Sequence, residues 1–153
     1  SSIGVLASDL VWVGRGIDGL AFTLDLSHAH LSANAQTRVV DQADRSLDSL
    51  VDSLSEQAEV ANLLDFVEQV SSDVVTVHVS DAKGLLGEGL AYGSGDAPLD
   101  VALRHLLPRV KFLVTEVVEP DPNRCPNMRV VEERLRILRA EMLPTTAEIG
   151  AGQ

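Results

Sequence analysis

An α/β fold with a parallel sheet is predicted by two features of this 153-residue chain. Three short runs of apolar and β-branched residues alternate with stretches of helical periodicity. That order is the one that parallel strands joined by right-handed crossovers require. Each run also ends in a residue able to bind a metal: Asp25, His78 and Glu116. Folds of this class place their chemistry at the C-terminal ends of the strands, so the three ends point to one shared site.

The first strand is read at 20–25, within LAFTLDLSHAH. Its continuous apolar run suits a strand covered on both faces. Before it, Asp9 to Ile17 fits a short helix weakened by Gly14 and Gly16. After it, residues 27–40 read as a loop. From Gln42 to Val70 the pattern is helical, with one stripe through Leu47, Leu50, Val51 and Leu54 and another through Val60, Leu63, Leu64 and Val67. A break falls near Ser55. DVVTVHV, residues 73–79, is the second strand by its β-branched content. Residues 80–96, holding five glycines, read as a long loop. A helix is expected over 98–107, opened by Pro98 and closed before Pro108. The third strand lies within 110–118, and a last helix over about 129–142. The tail from Pro144 is expected to fray. The whole chain, 1–153, reads as one α/β unit: either a compact three-layer domain or a piece of a larger barrel, since three strands alone leave two open edges.

Composition narrows the function. Hydrophobic residues make up 45% of the chain and charged ones 23%, as in a soluble globular protein. Aromatics are only 3%, so the core must be built from Leu, Val and Ala. A formal net charge of -11 argues against a nucleic acid or an anionic membrane as partner. No stretch is long and apolar enough to span a membrane. Cys125 is the only cysteine, which fits a cytoplasmic location. The chain starts at Ser1 rather than Met, and an upstream segment is expected.

Two carboxylates and an imidazole form a ligand set for Mn, Mg, Co or Zn. Each residue also has a plainer reading. Asp25 suits a cap, His78 a satisfied core histidine, and Glu116 an ion pair with Lys83 or an arginine. His28 divides evenly between a substrate-binding and a structural role, and His30 reads as structural. The glycines around Glu88 and at Gly93-Ser94-Gly95-Asp96 can bring backbone N–H groups close to a ligand, or serve only as linkage. No P-loop, dinucleotide fingerprint or nucleophile elbow is present.

With these residues in place, the chain resembles the sugar phosphate isomerase/epimerase superfamily, whose fold is the xylose isomerase-like (β/α)8 TIM barrel. The resemblance rests on Asp25-x-x-His28, on His78-Val79-Ser80-Asp81, on Gly93-Ser94-Gly95-Asp96 and on Glu116, in family order over residues 9–142. It implies the last three strand–helix units of eight, and so an incomplete barrel. It implies that Asp25, His78 and Glu116 are ligands of a divalent metal ion. Glu116 and His28 would be catalytic, Glu116 as a proton-transferring base and His28 in contact with substrate. Glu88 and Lys83 complete the candidate substrate-binding set. The family also uses an acidic ligand from an earlier strand, which nothing before Leu20 supplies. SDAKGLLGEGLAYGSGD is most similar to members in bacterial surface-polysaccharide or sialic-acid-type pathways.

The expected function is a metal-dependent isomerase or epimerase acting on a sugar or sugar phosphate, active once an upstream segment or an oligomer completes the barrel. The alternatives are a non-catalytic carbohydrate-binding or interaction module of the same fold, and a dehydratase using the same metal site. Nucleic-acid and membrane partners are not expected.

Overall fold

The structure, a computed structural model, describes residues 6–37 and 48–142. The elements run α1 (Ala7–Gly16), β1 (Phe22–Asp25), α2 (Leu26–Gln36), α3 (Asp48–Glu56), α4 (Leu63–Val70), β2 (Val74–Val79), β3 (Asp81–Lys83), β4 (Gly87–Leu90), α5 (Leu99–Leu106), β5 (Phe112–Thr115) and α6 (Pro126–Met142). The main sheet has the order β1-β2-β5, and both of its pairings are parallel. The three expected strands are therefore adjacent, parallel and in sequence order. Among the described residues the sheet has three strands and does not close.

Alternation along the strands sorts the two faces. Leu24, Val77 and Val79 are buried against the helices with Phe66, Val67, Leu103, Leu106, Val131 and Leu138. On the opposite face the register aligns Thr23, Thr76 and Phe112 in one row and Asp25, His78 and Val114 in the next. Thr23, Phe112 and Val114 are exposed. The helices thus cover one face of the sheet and leave the face that carries the candidate ligands open. The architecture is mixed α/β with a parallel sheet, consistent with part of a TIM barrel.

Three expectations need correction. Residues 27–36 are not a loop: β1 runs straight into α2, with Asp25 as its N-cap. The Asp25 carboxylate accepts from the backbone N–H groups of Ser27 (2.9 Å) and His28 (3.2 Å). The glycine-rich segment is not simply a loop either, because β3 and β4 form an antiparallel pair. Finally, where an incomplete barrel is expected to expose an apolar strip along β1, the edge at which earlier strands would pair, the exposed apolar surface is elsewhere. It lies on the open face at Phe112 and Val114, beyond it at Val118, and on α1 and its end at Trp12 and Ile17. The frayed tail expected from Pro144, and the start of the first stripe at 42–47, fall outside the described residues.

Two polar clusters fix the chain between the strands. Asp81 is buried, and its carboxylate accepts four backbone N–H groups, from Ala82 (2.8 Å), Gly93 (2.9 Å), Gly95 (3.0 Å) and Ala97 (3.2 Å). Gly95 packs so closely here that an added Cβ would lie 2.1 Å from the Ala82 carbonyl oxygen. In the second cluster, Tyr92 Oη donates to Asp100 Oδ1 (2.6 Å), and the Arg134 guanidinium donates to both carboxylate oxygens of Asp100. That clamp joins the segment after β4 to α5 and α6. Hydrogen bonding to Arg134 holds the Asp100 carboxyl below its ordinary value of 3.8. Burial, with Asp100 beside it, pushes the Tyr92 phenol up. The depressed carboxyl stabilises the fold above the unfolded value, and this contribution is lost as pH falls through the folded value. The melting temperatures of wild type and Asp100→Asn should therefore converge as pH drops below 3.8. A gap that stays constant from pH 7 to pH 3 would count against the clamp.

Candidate functional site

The site forms where β1, β2 and β5 end. In-phase alternation puts Asp25, His78 and Glu116 on the open face, two residues beyond Thr23, Thr76 and Val114 respectively. Glu116 follows β5 directly, and its backbone N–H donates to the Val79 carbonyl (3.1 Å), which keeps it in step with β2. One donor atom from each of Asp25, His78 and Glu116 lies within 4.8 Å of the others. The Nδ1 atom of His78 touches Oε2 of Glu116 directly.

Donors held about 2.0–2.6 Å from one ion lie up to ~5 Å apart, so the three groups fit a divalent cation without rearranging the strands. Two hard oxygens and one imidazole suit Mn, Mg, Co or Zn. Three protein ligands would leave coordination positions open on the exposed side.

Asp25 is a helix cap, as its plainer reading has it, and also offers an oxygen to the three-residue cluster. Its Oδ1 caps α2 and also accepts from Ser27 Oγ (2.7 Å), while Oδ2 lies 3.7 Å from Nδ1 of His28. The first turn of α2 carries His28 over the site, where its Nε2–H donates to Glu88 Oε2 at 2.6 Å. Glu88 arrives from β4. That strand is strapped to the chain beyond β5 by the Val118 N–H, which donates to the Gly89 carbonyl (2.7 Å). Gly89 has φ +67°, and a Cβ there would stand 3.0 Å from Val118 Cγ2, so the strap requires glycine. Together these elements line a cavity of about 440 Å³, formed by Asp25, Ser27, His28, Ser80, Glu88 and Glu116 with Gly89, Thr115, Val117 and Val118.

Of the candidate residues, Asp25, His28, His78, Glu88 and Glu116 come together. Lys83 does not: it is exposed at the end of β3, outside the cavity, and the close partner of Glu116 is His78. His30 is buried in α2, outside the cavity, and its Nε2–H donates to Asp96 Oδ1 (2.8 Å). The N–H groups of Gly93 and Gly95 do not face a ligand, because the Asp81 carboxylate takes them. Ser27 and Ser80, met in the sequence only as part of the polar strand ends, and Thr115 were given no role there. The adjacency of Ser27 to Asp25 and of Ser80 to the end of β2 was the available signal.

Fold and site together define an α/β protein with a strand-end carboxylate–imidazole cluster, built like part of a TIM barrel. Among solved structures it is similar to one described as a D-tagatose 3-epimerase-like protein, with a TM-score of 0.63 and 17% sequence identity. The match covers 94% of this chain and 45% of the other, so the chain spans less than half the length of that relative. At this identity the likeness is one of fold. No family model matches the chain, and no curated protein does. Among the described residues no helix is long and apolar enough to cross a membrane.

Proposed function

We propose that this chain is the C-terminal part of a metal-dependent sugar or sugar-phosphate isomerase or epimerase barrel. The observation that carries the reading is the convergence of Asp25, His78 and Glu116 at the ends of three adjacent parallel strands. A fold shared with a tagatose-epimerase-like protein supports it. Asp25, His78 and Glu116 would hold the ion. When bound there, a divalent ion would supply the Lewis acidity that polarises a sugar carbonyl next to the carbon that loses its proton. Glu116, which is exposed and lines the cavity, would take and return that proton. His28 and Glu88 face the same space and would orient the sugar hydroxyls. The remaining strands, with a further acidic residue, would come from an upstream segment or a partner that completes the barrel. Membership of a surface-polysaccharide or sialic-acid-type pathway remains part of the proposal.

A second reading has one specific observation behind it. No further carboxylate joins the cluster among the described residues, as a second proton-transferring group would. A carbohydrate-binding module that keeps the fold without the chemistry is consistent with that.

Calorimetric titration of the chain with Mn²⁺ tests the metal site. One equivalent should bind to wild type, and Asp25→Asn and His78→Ala should each weaken binding by about a hundredfold or more, beyond the ~10–100-fold typical of outer-shell changes. Equal affinity in wild type and both variants would remove the metal centre from the proposal.

A further inference from the structure

We infer that the site selects a neutral sugar over a phosphorylated or otherwise anionic one, and that Glu88 sets this preference. The inference rests on the metal-centred sugar reading above. Among the described residues the cavity is lined by three carboxylates, those of Asp25, Glu88 and Glu116, and by no lysine or arginine. A divalent ion held by the cluster offsets the charge of Asp25 and Glu116. Glu88 stands outside that cluster, and among the described residues its carboxylate is paired with His28 at the cavity. The strap between Gly89 and Val118 holds the backbone beside Glu88 close to the strand ends.

The hydrogen-bonding chemistry points the same way. A carboxylate only accepts, and the Nε2–H of His28 is already directed at Glu88. A sugar hydroxyl both donates and accepts, so it can insert between the two, donating to Glu88 and accepting from His28. A phosphate group at neutral pH is chiefly an acceptor. It can satisfy His28 only by displacing Glu88, and it then lies beside an unpaired like charge. Lys83 of β3 is exposed and does not line the cavity, so it offsets none of this charge.

The test uses the full chain, first titrated with Mn²⁺ alone, then titrated in its Mn²⁺-loaded form with D-tagatose and with D-tagatose 6-phosphate. Wild type should bind the free sugar at least about tenfold more tightly than the phosphate. Glu88→Gln should bring the two close to parity, and Glu88→Lys should reverse the order. Glu88 is exposed, so neither variant should move the melting temperature. The inference is overturned if wild type binds the phosphate as tightly as the free sugar, or if the preference survives in Glu88→Gln. Normal Mn²⁺ binding with no binding of either sugar overturns it while leaving the metal centre standing. Loss of Mn²⁺ binding itself overturns the functional reading, and this inference falls with it.

Discussion

Asp81→Ala is expected to destabilise the fold by about 3–5 kcal/mol, the range seen when one partner of a buried charged interaction is removed. Four backbone N–H groups converge on that carboxylate, and three of them, those of Gly93, Gly95 and Ala97, lie outside any helix or strand. Removing it strands several donors in a buried place, each costing about 1–3 kcal/mol where water cannot reach. Oδ1 serves Ala82 and Ala97, and Oδ2 serves Gly93 and Gly95. Asp81→Asn would keep an oxygen for one pair and set an amide donor against the other, so it should fall between wild type and alanine. Gly95→Ala attacks the same knot from the other side, because its Cβ would meet the backbone oxygen of Ala82. Denaturant midpoints compared at fixed slope would show these losses. An Asp81→Ala midpoint equal to wild type would mean that the segment closes without the carboxylate. Loss of this knot should also release β4, and with it the contact between Glu88 and His28.

The second large effect concerns the open face of the sheet. Phe112 is 61% exposed, Val114 42% and Val118 71%, all at or beyond β5, which among the described residues is an edge strand of the sheet. Burying three such side chains in a contact is worth ~3–5 kcal/mol, which converts to roughly a hundredfold to several-thousandfold in association constant. The isolated chain should therefore self-associate and bind an apolar dye. Phe112→Ser combined with Val114→Thr should sharply reduce both. These side chains are exposed, so at a concentration low enough to keep wild type monomeric the double variant should share its melting temperature. Sedimentation velocity reads the association directly. A monomeric wild type with a cooperative melt and no dye binding would show that the three-strand unit is self-sufficient.

The strands were legible because their signal is local. β-Branched runs and strand-ending polar residues are visible without knowing what packs on them, and the period of two then places Asp25, His78 and Glu116 on one face. The helix α2 was not legible. Its sequence, LSHAHLSANAQ, has no single apolar stripe, because it is buried on several sides: Ser27, His30, Asn34 and Gln36 are all covered. Asn34 Nδ2 donates to the Gly84 carbonyl (2.7 Å), so its burial depends on a segment fifty residues away. The cap formed by Asp25 was the one local clue. The β3–β4 pair was hidden for a related reason. Gly87–Leu90 has no β-branched residue, and the segment after it is held by Asp81 rather than by strand propensity. Lys83 was misplaced because a position on the glycine-rich segment does not reveal which side of the hairpin faces the cavity.

The in-phase alternation of the three strands makes insertions and deletions a matter of parity. One residue added between Thr115 and Glu116 would turn the carboxylate toward the helix layer and leave the new side chain facing His78. Two residues would return it to the open face but carry it a further ~7 Å along the strand direction, out of reach of Asp25. Within 107–111, where the chain runs between α5 and β5, an added residue need not disturb the strand phase and can be absorbed at the surface. Chains built on this plan can therefore drift in length between their strands, while the count of residues from Phe112 to Glu116 stays fixed for as long as the three ligands act on one ion.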